Sequence, residues 1–149
     1  MLPRFIILFT LLSLGILGCN KIGGGDVSLV KDGMLEFDKS LTVGKAIDNY
    51  KFFKKTDWKS ITTDNGRKIV TVVAAIDTDK HPAINKEAGI KSAEMKFEFT
   101  VNQDKTFEIG WCGLGFEKND GEKHTPPENV NLYMCINSLK AIYNNNPEF

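Results

Sequence analysis

The sequence predicts an α+β fold: a four-stranded antiparallel meander sheet with an N-terminal helix and a C-terminal helix packed on one face. Three observations carry this. Val43, Ala46, Ile47, Tyr50 and Phe53 recur at spacings of three and four, one face of an α-helix. Trp58–Thr63 and Arg67–Ile76 are apolar, β-branched runs on either side of Asp64-Asn65-Gly66, a hairpin signal. Met95, Phe97, Phe99 and Val101 alternate with Glu94, Lys96, Glu98 and Thr100, the period of a sheet with one buried and one wet face. Helical and strand periods in separate blocks make an α+β arrangement rather than an alternating α/β one.

Taken in order, Val27–Asp38 holds an Asp-Gly turn between short apolar runs, which reads as a small hairpin or an extended lead-in. Thr42 can cap the first helix by accepting from a first-turn amide, and Leu41 before it can serve as a hydrophobic staple. Gly44 weakens that first turn, so packing must hold it. Lys54 and Lys55 suit the helix's negative C-terminal end. In the first hairpin, Asn65-Gly66 supplies the positive φ angles of a type I′ turn. Ile69–Ile76 is dense enough in β-branched residues to be covered on both faces, with Trp58 and Ile61 as core partners.

Asp77–Gly89 is a polar connection. Ser92–Trp111 forms the second hairpin, turning at Asn102–Lys105, with Phe107, Ile109 and Trp111 alternating on its return strand. Gly113–Glu128 reads as a long loop ending in Pro126-Pro127. Thr125 or Pro127 can start a terminal helix, since Leu132, Cys135, Ile136, Leu139, Ile142 and Tyr143 fit helical spacing. Val130, Leu132, Met134 and Ile136 also alternate, so a strand followed by a short helix remains open. Asn144-Asn145-Asn146-Pro147 ends the element.

The start of the chain has a different character. Arg4 precedes the apolar run Phe5–Leu14, which is too short to span a bilayer. Ile16-Leu17-Gly18-Cys19 follows and resembles the lipobox of bacterial lipoprotein precursors, with Leu17 bulkier than the residue usual there. The resemblance implies a signal peptide over residues 1–18. It also implies a diacylglycerol thioether on Cys19, and acylation of its amino group. Two or three acyl chains anchor stably where one holds only marginally. Asn20 in place of Asp implies the periplasmic face of the outer membrane. Lys21-Ile22-Gly23-Gly24-Gly25 reads as a flexible tether, giving a tether over residues 19–26 and one domain over 27–149.

Without the leader, 131 of the 149 residues remain, enough for one domain with a real core. The whole chain has 19 Lys+Arg against 19 Asp+Glu, and the leader removes only Arg4. That balance argues against nucleic acid as a partner and against broad contact with anionic membrane. Membrane attachment is therefore expected through Cys19 alone. Of three cysteines, lipid on Cys19 leaves Cys112 and Cys135, and an even remainder in an exported chain points to a disulfide.

No catalytic constellation emerges. His81 and His124 lack ligand spacing and read as solvated loop residues. A joint metal site of His124, Cys112 and Cys135 is a minor alternative. Asp77 and Asp79 lack the rest of a calcium loop. Glu94, Glu98 and Glu108 read as the wet face of a hairpin. Gly113-Leu114-Gly115 lacks the Lys-Ser/Thr of a phosphate loop. Tyr50, Phe52, Phe53 and Trp58 read as core aromatics. No cofactor, metal or catalytic residue is expected.

The stretch Leu41–Phe53, with Trp58-Lys59 and Asp64–Arg67, is similar to a group of small, functionally uncharacterised bacterial lipoproteins over about residues 38–76. The resemblance implies a fold module and a compartment but no activity. The expected function is a non-enzymatic, lipid-anchored binding or structural module with an envelope protein as partner. The alternatives are an inhibitor or exclusion lipoprotein acting on a hydrolase, phage or plasmid-transfer component, with Gly113–Pro127 as its inserting element, and a hydrolase with a paired-carboxylate site.

Overall fold

The computed structural model describes residues 24–148. The expected leader and Cys19 lie outside the described residues. The elements run α1 (Gly24–Asp32), α2 (Val43–Asp48), β1 (Phe53–Thr62), β2 (Lys68–Ile76), β3 (Ile90–Val101), β4 (Phe107–Lys118), β5 (Lys123–His124) and α3 (Leu132–Tyr143). The strands form one antiparallel meander in the order β1-β2-β3-β4-β5. The fold is α+β, with five strands rather than four and a helix more than the periodicity implied.

That extra helix is α1. Gly24, Gly25 and Asp26, expected in the tether, make its first turn, and no hairpin forms over Val27–Asp38 beyond one bridge between Leu35 and Asp38. Two glycines and a weak apolar stripe hid it. Asp26 suits the positive end of the helix, where Lys68 lies 3.2 Å from its carboxylate. Val30 is fully buried.

α2 begins at the expected cap, the Thr42 side chain accepting from the Lys45 amide at 3.3 Å. It stops at Asp48, so Phe53–Lys55 start β1 instead of ending the helix. Asp48 ties the three elements together. Its carboxylate accepts from Thr56 Oγ1 at 2.7 Å and Trp58 Nε1 at 2.8 Å, and Lys31 Nζ stands 2.7 Å away. Partial burial works against the charged form, but these donors outweigh it and hold the carboxyl below its ordinary range.

Val70, Val72 and Ile76 of β2 and Met95, Phe97 and Phe99 of β3 face the helices, where Val43, Ile47, Leu139 and Ile142 complete one core. The other face of β2 is only half-buried. Its covering on both sides is therefore corrected, because all three helices pack on a single face. Trp58 joins the core and stacks on Phe99, whereas Ile61 is 52% exposed opposite Ile69 on the outer face.

All three hairpins turn alike. Gly66, Lys105 and Gly121 have φ of +79°, +64° and +90°, and each amide donates to the carbonyl three residues back. Asn65 keeps a negative φ, so the first turn is not type I′. One left-handed residue after the turn does the work of two.

Candidate functional site

The site is built around a break in the register of β4. Glu98 pairs with Trp111 and Phe99 pairs with Ile109, which leaves Gly110 opposite no residue. One extra residue in a strand sends every later side chain to the other face. Phe107 and Ile109 therefore pack against the core, while Trp111 turns to the outer face and Lys96 Nζ sits 5.4 Å from its ring centre. The expected common face of Phe107, Ile109 and Trp111 is overturned by this bulge, which has no marker in the sequence except the glycine.

The same slip carries Cys112 inward. It is 3% exposed and bonded to Cys135 in the first turns of α3, with Cα atoms 5.5 Å apart. The expected pairing is present, and α3 confirms the helical reading of residues 132–143 over the strand alternative. Its cap is Asn131, whose side chain accepts from the Tyr133 amide at 2.9 Å, rather than Thr125 or Pro127.

The long loop expected from Gly113 to Glu128 is largely ordered structure. Gly113–Lys118 continues β4 against the first half of β3, and the hairpin to β5 follows. Only the strap before α3 is irregular. It passes close over β4: a Cβ on Gly113 would stand 2.5 Å from both Pro126 Cβ and Trp111 Cη2. Trp111 Nε1 donates to the Pro127 carbonyl at 3.2 Å, which pins the strap from the outer face.

Under the strap lies a groove of about 480 Å³, lined by Met95, Cys112, Leu114, Pro126, Val130 and Met134 among others. Met134 of this lining is 61% exposed, and the two residues before it in the first turn of α3, Leu132 and Tyr133, are 48% and 67% exposed. Three consecutive large apolar side chains in water are a binding signature in a folded domain. This surface can hold an apolar side chain or chain segment. Its lining holds no carboxylate, lysine or arginine, and His124 is the lining side chain that can exchange a proton.

The other residues singled out are placed as follows. His81 is not a solvated loop residue. It is 2% exposed, edge-on to Phe52, and its Nδ1 accepts from the Ala83 and Ile84 amides at 3.3 and 3.0 Å. Burial pushes its pKa below the ordinary value, against a smaller opposing effect of a hydrogen bond to the Pro147 backbone. His124 is exposed and stacks on Phe116. Cys112 and Cys135 are bonded to each other and are not free to join it on a metal. Among the described residues no group of three or more His, Cys, Asp and Glu is placed to hold a metal ion. Asp77 and Asp79 face lysines, with Lys80 3.1 Å from the first and Lys86 2.6 Å from the second. Glu98 pairs with Lys96 at 2.7 Å, on the outer face as expected. Tyr50, Phe52 and Phe53 pack edge to face as core aromatics.

No family model, curated protein or solved structure matches the chain. The carboxylates whose pKa departs from the ordinary one, Asp38, Asp48, Asp57, Asp77, Asp79, Asp104 and Glu117, are all lowered, each held as an anion by nearby donors. A general acid needs the opposite shift.

Proposed function

We propose that this chain is a lipid-anchored envelope protein, held by Cys19 on the periplasmic face of the outer membrane, and that it works as a non-enzymatic docking module. The observation that carries the docking reading is the exposure of Leu132, Tyr133 and Met134 beside an apolar groove braced by the Cys112–Cys135 bond. Such a patch in water is costly unless a partner covers it. The disulfide supports the exported compartment, because thiols stay reduced in the cytosol. The lipobox-like Ile16–Cys19 supports the anchor.

A photo-crosslinking residue at Tyr133, in protein expressed in its own envelope, tests the docking reading. The expected result is one discrete protein adduct that is lost on Met134→Asp. Adducts only with lipid and abundant porins overturn it. Cys19→Ser tests the anchor separately. It is expected to move the protein out of the detergent phase, and unchanged partitioning refutes lipidation.

A rival reading makes the chain an inhibitor or exclusion lipoprotein. The hairpin of β4 and β5 favours it, since its exposed tip at Asn119–Gly121 stands on a strand braced at Cys112. Replacing that tip would abolish inhibition under this reading and leave the Tyr133 adduct intact under the first.

A further inference from the structure

One end of the sheet gathers three features that the docking surface does not use. The first turn of α1, the β1–β2 turn and the β3–β4 turn enclose a cleft of about 920 Å³, lined by Gly25, Asp26, Arg67, Lys68, Thr100 and Lys105 among others. The opposite end carries the β2–β3 connection and the β4–β5 turn, because a meander sends alternate turns to opposite ends. The turns at the cleft end are exposed and polar, with no large apolar side chain from Thr63 to Lys68 or from Asn102 to Thr106.

The chain enters this end at Gly24. If Cys19 carries lipid, as proposed above and on which this inference rests, five residue steps connect the acyl chains to the folded domain. Fully extended they reach at most about 18 Å. Headgroups and the cleft end are then confined within roughly two Debye lengths at physiological salt. Covalent confinement of this kind raises effective concentration enough for weak contacts to be made.

The charges at this end divide into engaged and available ones. Lys68 is bridged to Asp26 at 3.2 Å, and Asp104 caps its own turn by accepting from the Thr106 amide at 3.0 Å. Arg67 and Lys105 are exposed cations without a carboxylate bridge among the described residues, Arg67 Nη2 donating to Thr100 Oγ1 at 3.4 Å, and Asp64 is an exposed anion in the same turn as Arg67. Their charges nearly balance, so the tether rather than long-range attraction must bring this end to a bilayer.

We propose that this cleft end is the membrane-facing pole of the domain, where Arg67 and Lys105 contact the phosphates of anionic phospholipid headgroups. The β2–β3 connection and the β4–β5 turn then point away from the bilayer.

The test uses the lipidated protein in vesicles containing phosphatidylglycerol and a gadolinium-chelating lipid. Spin labels are placed at Gln103→Cys or Asn119→Cys, one at each end of the sheet. The expected result is several-fold stronger relaxation at position 103 than at 119. In the double variant Arg67→Ala, Lys105→Ala, each lost cation is expected to weaken the apposition about fivefold at low salt. Equal relaxation at both positions, or stronger relaxation at 119, overturns the orientation. An unchanged difference in the double variant overturns the role of the two cations. The intact mass of the reconstituted protein separates the two failures: unmodified Cys19 removes the anchor and this orientation with it, whereas lipid present with no difference between the ends removes the orientation alone.

Discussion

The Cβ that Gly44 lacks would stand 2.9 Å from both the Cβ and the carbonyl oxygen of Lys31. Contacts below 3.0 Å are essentially unknown for a real Cβ, and one of these atoms is backbone. Gly44 is therefore where α2 crosses close over α1, not simply a weak point in a helical turn. Gly44→Ala gains about 1 kcal/mol of helix propensity but forces two packed helices apart at a typical cost of 1–3 kcal/mol. We expect a net loss of about 1 kcal/mol in urea unfolding. A gain in stability would show that the crossing is loose.

Lys105 occupies the left-handed position that glycine fills in the other two hairpins. A side chain in that conformation costs about 1 kcal/mol, partly offset by the greater freedom of glycine in the unfolded chain. Lys105→Gly should raise stability by roughly 0.5 kcal/mol, read as a higher denaturant midpoint at unchanged slope.

The Tyr143 hydroxyl is buried and has no hydrogen-bond partner among the described residues. Burial, and then the charge of Asp38, push its pKa up to about 12. An unpaired buried hydroxyl costs more than its removal. Tyr143→Phe should thus leave stability unchanged or raise it by up to about 1 kcal/mol. A loss above that size in thermal melts would reveal an interaction through the hydroxyl.

His81 should make stability fall with acid. Its folded pKa lies below the ordinary 6.5 because burial disfavours the imidazolium, and Nδ1 is already committed as an acceptor from two amides. The unfolded chain takes up a proton as pH drops through 6.5, while the folded chain resists until its lower value is reached. The contribution is complete above the unfolded pKa, declines between the two values and levels off below the folded one. Urea midpoints between pH 7.5 and 5.5 measure this window above the carboxylate range. The decline should shrink in His81→Gln, and an equal decline in both proteins assigns it elsewhere.

The bond between Cys112 and Cys135 spans 23 positions. Closing a loop of that length stabilises by about 3 kcal/mol in the chain-entropy model. Reduction should lower the melting temperature by about 10 °C for a domain of this size. An unchanged melt, with both thiols open to alkylation, would show that the bond does not constrain the unfolded chain.

Much of the fold was readable because it is written in short-range patterns. The alternation from Glu94 to Val101, the Thr42 cap and the period of α3 each depend on neighbours within a few residues. The disulfide was readable from parity and the expected compartment. The groove was not. Residues 113–118 are rich in glycine and resemble a loop by composition, and only pairing with β3 makes them a strand. The burial of His81 was equally hidden, since Phe52 and Pro147 reach it from distant parts of the chain.

By itself, then, the sequence determined the α+β class, the meander, the capped α2 and the pairing of two cysteines, because period, capping and cysteine count act locally or by elimination. Tertiary structure alone decided which face Trp111 and Cys112 occupy. A single unpaired residue, Gly110, reverses both, and whether a strand bulges depends on how its partner's bonds are met across the sheet. The hold of Trp111 on the strap and the bond from Cys112 to α3 both depend on that one displacement, which is set by pairing across the sheet.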